Sequence, residues 1–316
     1  MSDNIQKKGY HIERLSKTNI GVLNQLYHDV YGRINPDDYY IKKYDTAYTG
    51  VEYIGYIAFD EHRKAIAFYG VIPCFIRHSD QLYLAAQSAD TMTHPKHQFK
   101  GIFVQLANLT FDLCREEGIS IVFGFPNQNS LHGFLVRLKW QMTETLDFYN
   151  IPTGFVPIEG IVRKIPFLSN AYERYQEYIL KDYLVPRKGI ENSSFKDGFA
   201  GVNRNAHYLN YKCYHDTQVI RVGNALLWIK IKNGLIIGDI NCREEEFDHM
   251  MAEVKKLALK LGLNHIQFHT SHQTRLSALF SSRYDAVPSF YVLFKDLGAR
   301  IPLDEIKFTY ADVDTF

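Results

Sequence analysis

The stretch THPKHQFKGIF, residues 93–103, is the most informative part of the sequence. It follows a run rich in β-forming residues and precedes an apolar pattern of helical spacing, so the sequence predicts a strand, a turn and a helix. Backbone amides at the start of a helix attract anions because their N–H groups have no partner within the helix. Gly101 would admit a close approach, and Lys96 and Lys100 add positive charge. The turn is therefore predicted to bind a pyrophosphate.

The elements around this turn alternate in a recognisable order. Runs of Tyr, Ile, Val and Phe separated by polar turns indicate an antiparallel meander before it, and apolar spacing separates helices from strands after it. Strands are predicted over 51–59, 65–77, 81–93, 119–125 and 141–149, and helices over 101–117 and 129–138. The order β-β-β-α-β-α-β predicts an α/β (α+β) domain.

The second half of the chain repeats part of this pattern. It contains a predicted helix over 171–184, a loop over 185–201, an Asn-Gly hairpin at 232–234, helices over 244–261 and 273–282, and strands over 264–270 and 288–295. Gly118 precedes Trp140 by 22 residues, Gly262 precedes Tyr284 by 22 residues, and the two pairs are offset by 144. A duplicated domain is therefore favoured over a chance match.

The turn resembles the acetyl-CoA signature of the GNAT acetyltransferases: Arg or Gln, two residues, Gly, one residue, then Gly or Ala, often after Val-His-Pro. Gln98, Gly101, His94 and Pro95 match, whereas Phe103 replaces a small residue. The resemblance implies a GNAT fold, with a mixed, mostly antiparallel sheet flanked by helices, and acetyl-CoA as acyl donor without a metal. The implied donor-binding residues in the turn are Gln98, Phe99, Lys100, Gly101, Ile102 and Phe103.

A second match lies at residues 126–140, which resemble the next element of the family. By that resemblance, Asn127 and Ser130 would meet the pantetheine arm and the phosphates, although the same residues also suit a helix N-cap. In this fold a backbone amide between the diverging fourth and fifth strands meets the developing oxyanion, which here implies Met92 and Thr93.

The resemblance divides the chain into three parts. Residues 1–150 are predicted to be a GNAT acetyl-CoA-binding domain, 151–200 a connecting helix and linker, and 201–316 a second GNAT-like domain without the signature. At the offset of 144 the turn corresponds to 242–247, CREEEF, which lacks the glycine and carries three carboxylates. The three carboxylates would repel a pyrophosphate, so this half is not expected to bind CoA. It is expected to form a wall of the acceptor site, a homodimer surface, or both.

The usual catalytic side chains of the family are missing. Gln87 stands where many members have a Glu general base, and Phe134 replaces the frequent Tyr general acid. At pH 7, deprotonating an amine of pKa about 10.4 costs about 4.6 kcal/mol, whereas an amine near 7.8 costs about 1 kcal/mol. The sequence therefore favours a small, low-pKa acceptor such as an amino sugar or an α-amino group.

Three groups are candidates for proton transfer. Asp90 on the predicted fourth strand and the carboxylate of Phe316 are candidate bases, and Tyr149 is a candidate acid for the leaving thiolate. Each also has a structural interpretation: a strand-end Asp bonded to an amide, a docked terminus and a core tyrosine. Six tyrosines near the predicted acceptor region suit either sugar stacking or packing: Tyr39, Tyr40, Tyr44, Tyr48, Tyr53 and Tyr56.

Composition excludes several other classes. Lys plus Arg number 36 and Asp plus Glu number 35, so the net charge is +1. The chain therefore lacks the basic excess that is typical of nucleic-acid-binding proteins. The four cysteines form no CxxC pair, which disfavours a zinc site or a disulfide framework. No apolar stretch has the length of a signal peptide or a membrane span, so a cytoplasmic protein is expected.

Three hypotheses remain open. The chain is an acetyl-CoA-dependent N-acetyltransferase of a small amine, a Fem-like aminoacyl transferase that takes its acyl group from tRNA, or a catalytically silent CoA-binding protein. Retention of Gln98 and Gly101 favours CoA over tRNA, and the absence of the usual acid and base prompts the third hypothesis.

Overall fold

The computed structural model describes residues 4–7, 9–154, 162 and 166–316. The described chain forms two compact units: unit 1 comprises 1–143 and 291–303, and unit 2 comprises 144–290 and 304–316. The predicted division at residue 150 falls inside a strand, and the predicted connecting segment 151–200 lies partly outside the described residues.

Unit 1 is built on a sheet whose strands pair in chain order. They are β1 (Asn4–Lys7), β2 (Tyr10–Arg14), β3 (Ile54–Phe59), β4 (Ala65–His78), β5 (Gln81–Thr93) and β6 (Ile121–Gly124). Neighbours from β1 to β5 are antiparallel, whereas β6 is parallel to β5. A parallel neighbour requires a crossover, and the intervening chain supplies one as a helix.

The helices of unit 1 are α1 (Leu23–Tyr31), α2 (Tyr39–Tyr44), α3 (Ile102–Glu116) and α4 (Gln128–His132), the last continued by a π turn over Gly133–Arg137. α3 buries Ile102, Leu106 and Leu113, which its helical period places on one face, against the sheet. Gly118, at φ +78, follows the end of the helix as the sequence predicts.

The strands after β6 include one parallel pair. Those that lie wholly in unit 2 are β8 (Leu184–Val185), β9 (Gly201–Val202), β10 (Gln218–Val222), β11 (Ala225–Ile231), β12 (Leu235–Asn241) and β13 (His265–Thr270). β7 (Gln141–Pro152) enters unit 2 at residue 144, and β14 (Val287–Asp296) leaves it after residue 290. The helices of unit 2 are α5 (Pro166–Leu180), α6 (Ala206–Tyr211), α7 (Phe247–Lys260) and α8 (Arg275–Ser281). β13 is parallel to β12 and antiparallel to β7, and β12, β11, β10 and β8 follow in antiparallel order.

The last strand of each crossover is exchanged between the units. β7 follows β6 and α4 in the chain, but its residues 147–152 pair with β13 in unit 2. β14 follows β13 and α8, but its residues 293–296 pair with β6 in unit 1. The sequence correctly predicts both strands, yet their local patterns carry no information about the strand that each one pairs with.

The predicted fold class is confirmed, as a mixed, mostly antiparallel sheet with flanking helices. The meander β3–β5, the crossover helix α3 and the hairpin of β11 and β12 lie where the sequence places them, with Asn233 at φ +53 and Gly234 at φ +114 in the hairpin turn. Within the described residues, no helix combines the length and apolar character needed to cross a membrane.

Candidate functional site

Unit 1 opens where β5 and β6 diverge. Their parallel pairing covers residues 85–88 and 121–124 and ends with Ser88 opposite Gly124, while β5 continues to Thr93. We call the gap between residues 89–93 and the chain after β6 the unit 1 cleft. This is the place that the sequence predicts for the acyl donor.

A one-residue bulge in β5 borders the cleft. Between Phe68 and Gly70 of β4 the register shifts, so that Asp90 and Thr91 both stand opposite the single residue between them. Asp90 has φ +50, a left-handed conformation that Asp and Asn adopt more readily than most side chains. A bulge of this kind bends its strand and redirects the backbone groups that follow it.

The bulge turns the amide of Thr93 into the cleft. His94 N–H donates to the Ile66 carbonyl at 2.8 Å, and the next pair is Ala67 with Thr93. Because antiparallel pairs alternate, the Thr93 amide points away from β4, whereas the Met92 amide points toward it. Of the two predicted oxyanion contacts, the geometry therefore favours Thr93.

The turn after β5 has the conformation that a close backbone approach needs. Phe99 and Gly101 have φ +62 and φ +76, and Gly101 is the residue before the first turn of α3. Nothing lies within 4 Å of the position of a Cβ atom on Gly101, so the space above the turn is open. Gln98 donates from Nε2 to the Thr93 carbonyl at 3.5 Å, which ties the turn to the cleft.

A groove of 640 Å³ runs from this turn along α3. It is lined by Gly101, Val104, Gln105, Asn108, Leu109, Asp112 and Arg137. Lys96 and Lys100 are exposed beside its start, and Arg137 contributes a further cation from the end of the π turn. The groove and the turn can therefore hold an elongated ligand with an anionic segment at the turn.

The large residue at the end of the signature fits the fold without blocking the turn. Phe103 packs against Phe134 and Tyr69 inside unit 1, and its ring lies 3.1 Å from the position of a Cβ atom on Gly133. The missing side chain of Gly133 thus leaves room for Phe103. Ile102 is buried at the start of α3, so of the predicted signature residues these two serve packing through their side chains.

The helix-cap interpretation of Asn127 and Ser130 is realised. Asn127 Oδ1 accepts hydrogen bonds from the Asn129 and Ser130 amides at 3.0 and 3.1 Å, and Ser130 Oγ donates to the Asn127 carbonyl. Both lie at the start of α4, where Asn127 is exposed. Their predicted contacts with the donor stay a prediction.

Asp90 lies beside the cleft but is strongly engaged. Its Oδ2 contacts Lys43 Nζ at 2.7 Å and accepts from the Tyr44 hydroxyl at 3.1 Å. The Lys43 side chain is only 1% exposed. Accepting a substrate proton would disrupt this ion pair, so the geometry favours an anchoring role for Asp90 over the predicted role as a base.

Tyr149 and Phe316 lie in unit 2. Burial and Asp147 raise the pKa of Tyr149 to about 12, and its ring packs on Phe280 in the core. Proton transfer from such a phenol to a thiolate of pKa about 8.5 would cost about 5 kcal/mol. Phe316 is completely buried against Trp228 and Gly238, so its surroundings give no support to a role for its carboxylate.

The side chains that replace the usual acid and base are buried in unit 1. Gln87 lies on β5, and Phe134 packs with Phe103 and Trp140. Most of the six predicted acceptor tyrosines serve packing, since four are buried: Tyr40, Tyr44, Tyr53 and Tyr56. The half-buried ring of Tyr39 and the half-exposed ring of Tyr31, whose hydroxyl lies 3.4 Å from the Thr91 carbonyl, remain accessible near the bulge.

The two histidines of the turn stay close to it. His94 Nδ1 accepts from the Lys96 amide, and burial together with Lys100 lowers the pKa of His97. A neutral His97 at pH 7 is a hydrogen-bonding group and not a further positive charge. In the described parts of the chain, no group of three or more His, Cys, Asp or Glu residues could hold a metal ion.

Unit 2 has a corresponding divergence, which its own chain fills. β12 and β13 pair from Leu235 with Ile266 to Ile237 with Phe268, and both strands then continue. Thr270 pairs with β7 on one edge and with Thr309 on the other. Residues 308–316, which we call the filling segment, therefore occupy the β12 side of β13.

The filling segment is held by buried polar contacts. Phe308 N–H donates to Ser271 Oγ, and Ser271 N–H donates to the Phe308 carbonyl, both at 2.9 Å. Arg204, fully buried, pairs with Asp239 and Asp312 and donates to the Thr309 hydroxyl. This role was not predicted from the sequence, although Thr309 followed by Asp312 has the pattern of a capping box, which the structure contains.

The start of α7, the predicted counterpart of the turn, is acidic. Glu246 pairs with Arg243 and accepts from Asn224 Nδ2 at 2.7 Å, and the two partners lower the pKa of its carboxyl group. Phe247 is fully buried. The described backbone has no positive φ over 242–247, in contrast to Phe99 and Gly101.

Comparisons with known proteins agree with this architecture. The model of the acetyltransferase (GNAT) domain matches residues 11–142, which include β5, the turn, α3 and α4. A probable N-acyltransferase from Enterococcus faecalis V583 superposes with a TM-score of 0.61 and 10% identity, over 92% of this chain and 73% of that chain. A putative acetyltransferase from Pyrococcus horikoshii superposes with a TM-score of 0.58 and 12% identity, over 99% of this chain and 97% of that chain.

A GCN5-related N-acetyltransferase from Kribbella flavida superposes with a TM-score of 0.56 and 9% identity, over 91% of this chain and 72% of that chain. No curated protein matches the chain. At these identities the structural likeness shows the fold, and the family model identifies the part of the chain that contains the cleft and the turn. Residues 11–142 are a GNAT acetyltransferase domain.

Proposed function

We propose that the chain is an acetyl-CoA-dependent N-acetyltransferase that acts on a small amine of low pKa. The observation that carries the proposal is the turn: Phe99 and Gly101 at positive φ open α3 directly beside the cleft where β5 and β6 diverge. Acetyl-CoA would supply a thioester for acyl transfer. The alternatives of an amino sugar and an α-amino group stay open within this proposal.

The residues of unit 1 fit an elongated anionic donor. The amides of the turn and the exposed Lys96 and Lys100 would meet the phosphates, while the groove along α3 would take a part of the nucleotide arm. The Thr93 amide would donate to the oxygen that becomes negative during transfer. Asp112 at the far end of the groove is ion-paired with Arg115, which limits its repulsion of the phosphates.

Acceptor choice follows from the side chains around the cleft. Gln87 and Phe134 supply no base or acid, and Asp90 is held by Lys43. An amine that is partly neutral at pH 7 needs little help to lose a proton, so orientation beside the cleft would supply most of the catalysis. We expect amines with pKa near 8 to be acetylated faster than polyamines or lysine side chains.

We also propose that unit 2 is a degenerate second copy that does not bind CoA. Its crossover repeats that of unit 1, with β12, α7 and the parallel β13 in the places of β5, α3 and the parallel β6. The filling segment takes the space of the cleft, and Glu244 to Glu246 take the place of the phosphate turn.

Isothermal titration with acetyl-CoA tests both proposals. We expect one site per chain; no binding at submillimolar ligand would contradict the acetyltransferase proposal, and two sites would contradict the degenerate second copy. Thiol release with a panel of amino sugars, amino acids and polyamines at pH 7 then tests turnover. Binding without turnover on any amine would favour a silent CoA-binding protein, the function that Gln87 and Phe134 prompt.

A further inference from the structure

We propose that the buried Lys43–Asp90 ion pair is a positioning device that holds the bulge of β5 and thereby keeps the Thr93 amide turned into the unit 1 cleft. Lys43 lies on α2, and Asp90 is the bulge residue with φ +50. The structural part concerns the fold of unit 1 alone. Its catalytic consequence rests on the proposed acetyl transfer.

The register of β4 and β5 shows why the bulge needs an anchor. Without the extra residue, Thr93 would stand opposite Ile66 and its N–H would be used in the ladder with β4. That alternative satisfies the same backbone groups and avoids the left-handed conformation at Asp90. The observed register therefore depends on side-chain contacts that only the bulged strand can make.

Asp90 makes such contacts with two residues of α2. Its Oδ2 lies 2.7 Å from Lys43 Nζ and 3.1 Å from the Tyr44 hydroxyl, and Tyr44 is fully buried. Lys43 Nζ also lies 5.4 Å from the centre of the Tyr39 ring. A slip of β5 by one residue would move the Asp90 carboxylate to the other face of the strand and leave the Lys43 ammonium buried without it.

The ion pair is better explained by the register of β5 that it specifies than by the stability that it adds. Replacing a buried ion pair by apolar side chains of similar size is often neutral or stabilising, because both charges lose their hydration on burial. A lysine that is 1% exposed is therefore a costly means of stabilising α2 alone. It does, however, specify one register of β5 against the other.

A positioning role and a role as general base predict different variants. If Asp90 were the base, Asp90→Asn would remove the acidic limb of the pH–rate profile and Lys43→Met would leave that limb in place. If the pair positions the bulge, both variants lower kcat alike. Their double variant is then no worse than either single variant, because both remove the same contact.

The kinetic test uses Asp90→Asn, Lys43→Met and the double variant. Asn tolerates a left-handed conformation, and the double variant leaves no uncompensated buried charge. Asp38→Asn with Lys42→Met removes an exposed ion pair between the N-cap residue of α2 and the helix itself, and is the matched control. We expect kcat to fall about tenfold or more, as for a displaced oxyanion donor, with KM for acetyl-CoA within about twofold and the shape of the pH profile unchanged. Additive losses, or an acidic limb that disappears in Asp90→Asn alone, would overturn the proposal.

Hydrogen exchange gives a readout that does not need turnover. In the Lys43→Met/Asp90→Asn variant, amides of residues 88–93 should exchange at least about tenfold faster than in the parent and in the control variant. Unchanged exchange would overturn the proposal even in an active enzyme. Failure of the parent protein to bind acetyl-CoA would instead overturn the proposed function and leave the exchange result to decide the anchoring of the bulge.

Discussion

The two crossovers of the chain present similar openings and use them differently. In unit 1, β5 and β6 separate after Ser88 and Gly124, and a turn with two positive φ angles follows. In unit 2, β12 and β13 separate after Ile237 and Phe268, and the filling segment pairs with β13 there. The first divergence lies beside a turn that opens onto the groove along α3, whereas the second is occupied by the filling segment.

If unit 2 is a degenerate copy, as proposed, this difference shows how little of the scaffold must change for a site to be lost. Both units keep a strand, a helix and a parallel strand, whose packing depends on buried apolar residues. A ligand site additionally needs empty space and amides with the right direction. In unit 2 the filling segment supplies hydrogen-bonding and apolar groups at the divergence of β12 and β13, and these contacts stabilise the unit.

Removing one of the two carboxylates that pair with Arg204 should have the largest effect, which is a loss of unfolding free energy. Asp312→Asn leaves the fully buried Arg204 with one carboxylate fewer, and removing one partner of a buried ion pair costs about 3–5 kcal/mol of unfolding free energy. Urea denaturation followed by the fluorescence of Trp228, in a Trp140→Phe background, reports on unit 2 because Trp228 lies 5.3 Å from the Phe316 ring.

The matched control is Asp304→Asn, an exposed carboxylate just before the filling segment, which should change stability by less than about 0.5 kcal/mol. If Asp312→Asn had an equally small effect, the filling segment would not be an integral part of unit 2.

Giving the turn of unit 1 the acidic character of its counterpart should abolish its predicted function. Gly101→Glu adds a carboxylate where the phosphates are expected and forces a side chain into φ +76. We expect acetyl-CoA to bind at least about 100-fold more weakly, roughly 3 kcal/mol. Gly118→Glu is the control, since Gly118 has φ +78 and open space at the other end of the same helix. Equal losses in both variants would assign the effect to folding and not to the site.

The sequence predicts where the site lies in the chain better than it predicts how the backbone amides of the site are oriented. Periodicity and turn residues are local, so they placed the meander, α3 and the turn at Gly101. The anchor of Asp90 is not local, because Lys43 comes from α2, and Arg204 and Asp312 lie 108 residues apart. A one-residue bulge changes no apolar pattern strongly enough to be seen, yet it decides the direction of the Thr93 amide.

Local sequence patterns also could not predict which strands β7 and β14 pair with. The pairing of β7 with β13 and of β14 with β6 depends on neighbours that are distant in the chain. Phe103 is a further example. A large residue at this position of the signature looks unfavourable in the sequence, but the missing side chain of Gly133 leaves room for its ring. Such compensations become visible when both members of the pair are placed.

Acid should weaken unit 2 through His269, which occupies the end of β13 inside the filled opening. Burial lowers its pKa to about 4, and its ring lies among Phe148, Phe290 and Tyr310, with Ser289 Oγ 3.0 Å from Nδ1. Because the folded pKa is below that of the unfolded chain, about 6.5, stability is lost as pH falls from 6.5 toward 4. Between pH 7 and pH 5 this amounts to about 2 kcal/mol.

The measurement is urea denaturation at both pH values, again with Trp228 as the reporter. His269→Gln removes the titrating group and should flatten the pH dependence by this amount, whatever its effect on stability at pH 7. If the pH dependence of the unfolding free energy is the same in both proteins, the pKa of His269 in the folded state is not lowered by burial.

Removing the positive charges beside the turn should have the smallest of these effects. Lys96 and Lys100 are exposed, and exposed charges contribute little in water, so Lys96→Gln with Lys100→Gln should weaken acetyl-CoA binding about fivefold, roughly 1 kcal/mol, at low salt. Screening should reduce this difference below about twofold at 0.5 M NaCl. Lys17→Gln with Lys232→Gln makes the same change of net charge away from the turn. If this control weakened binding equally, net charge would explain the attraction. A loss confined to the variant of the turn would assign the attraction to Lys96 and Lys100.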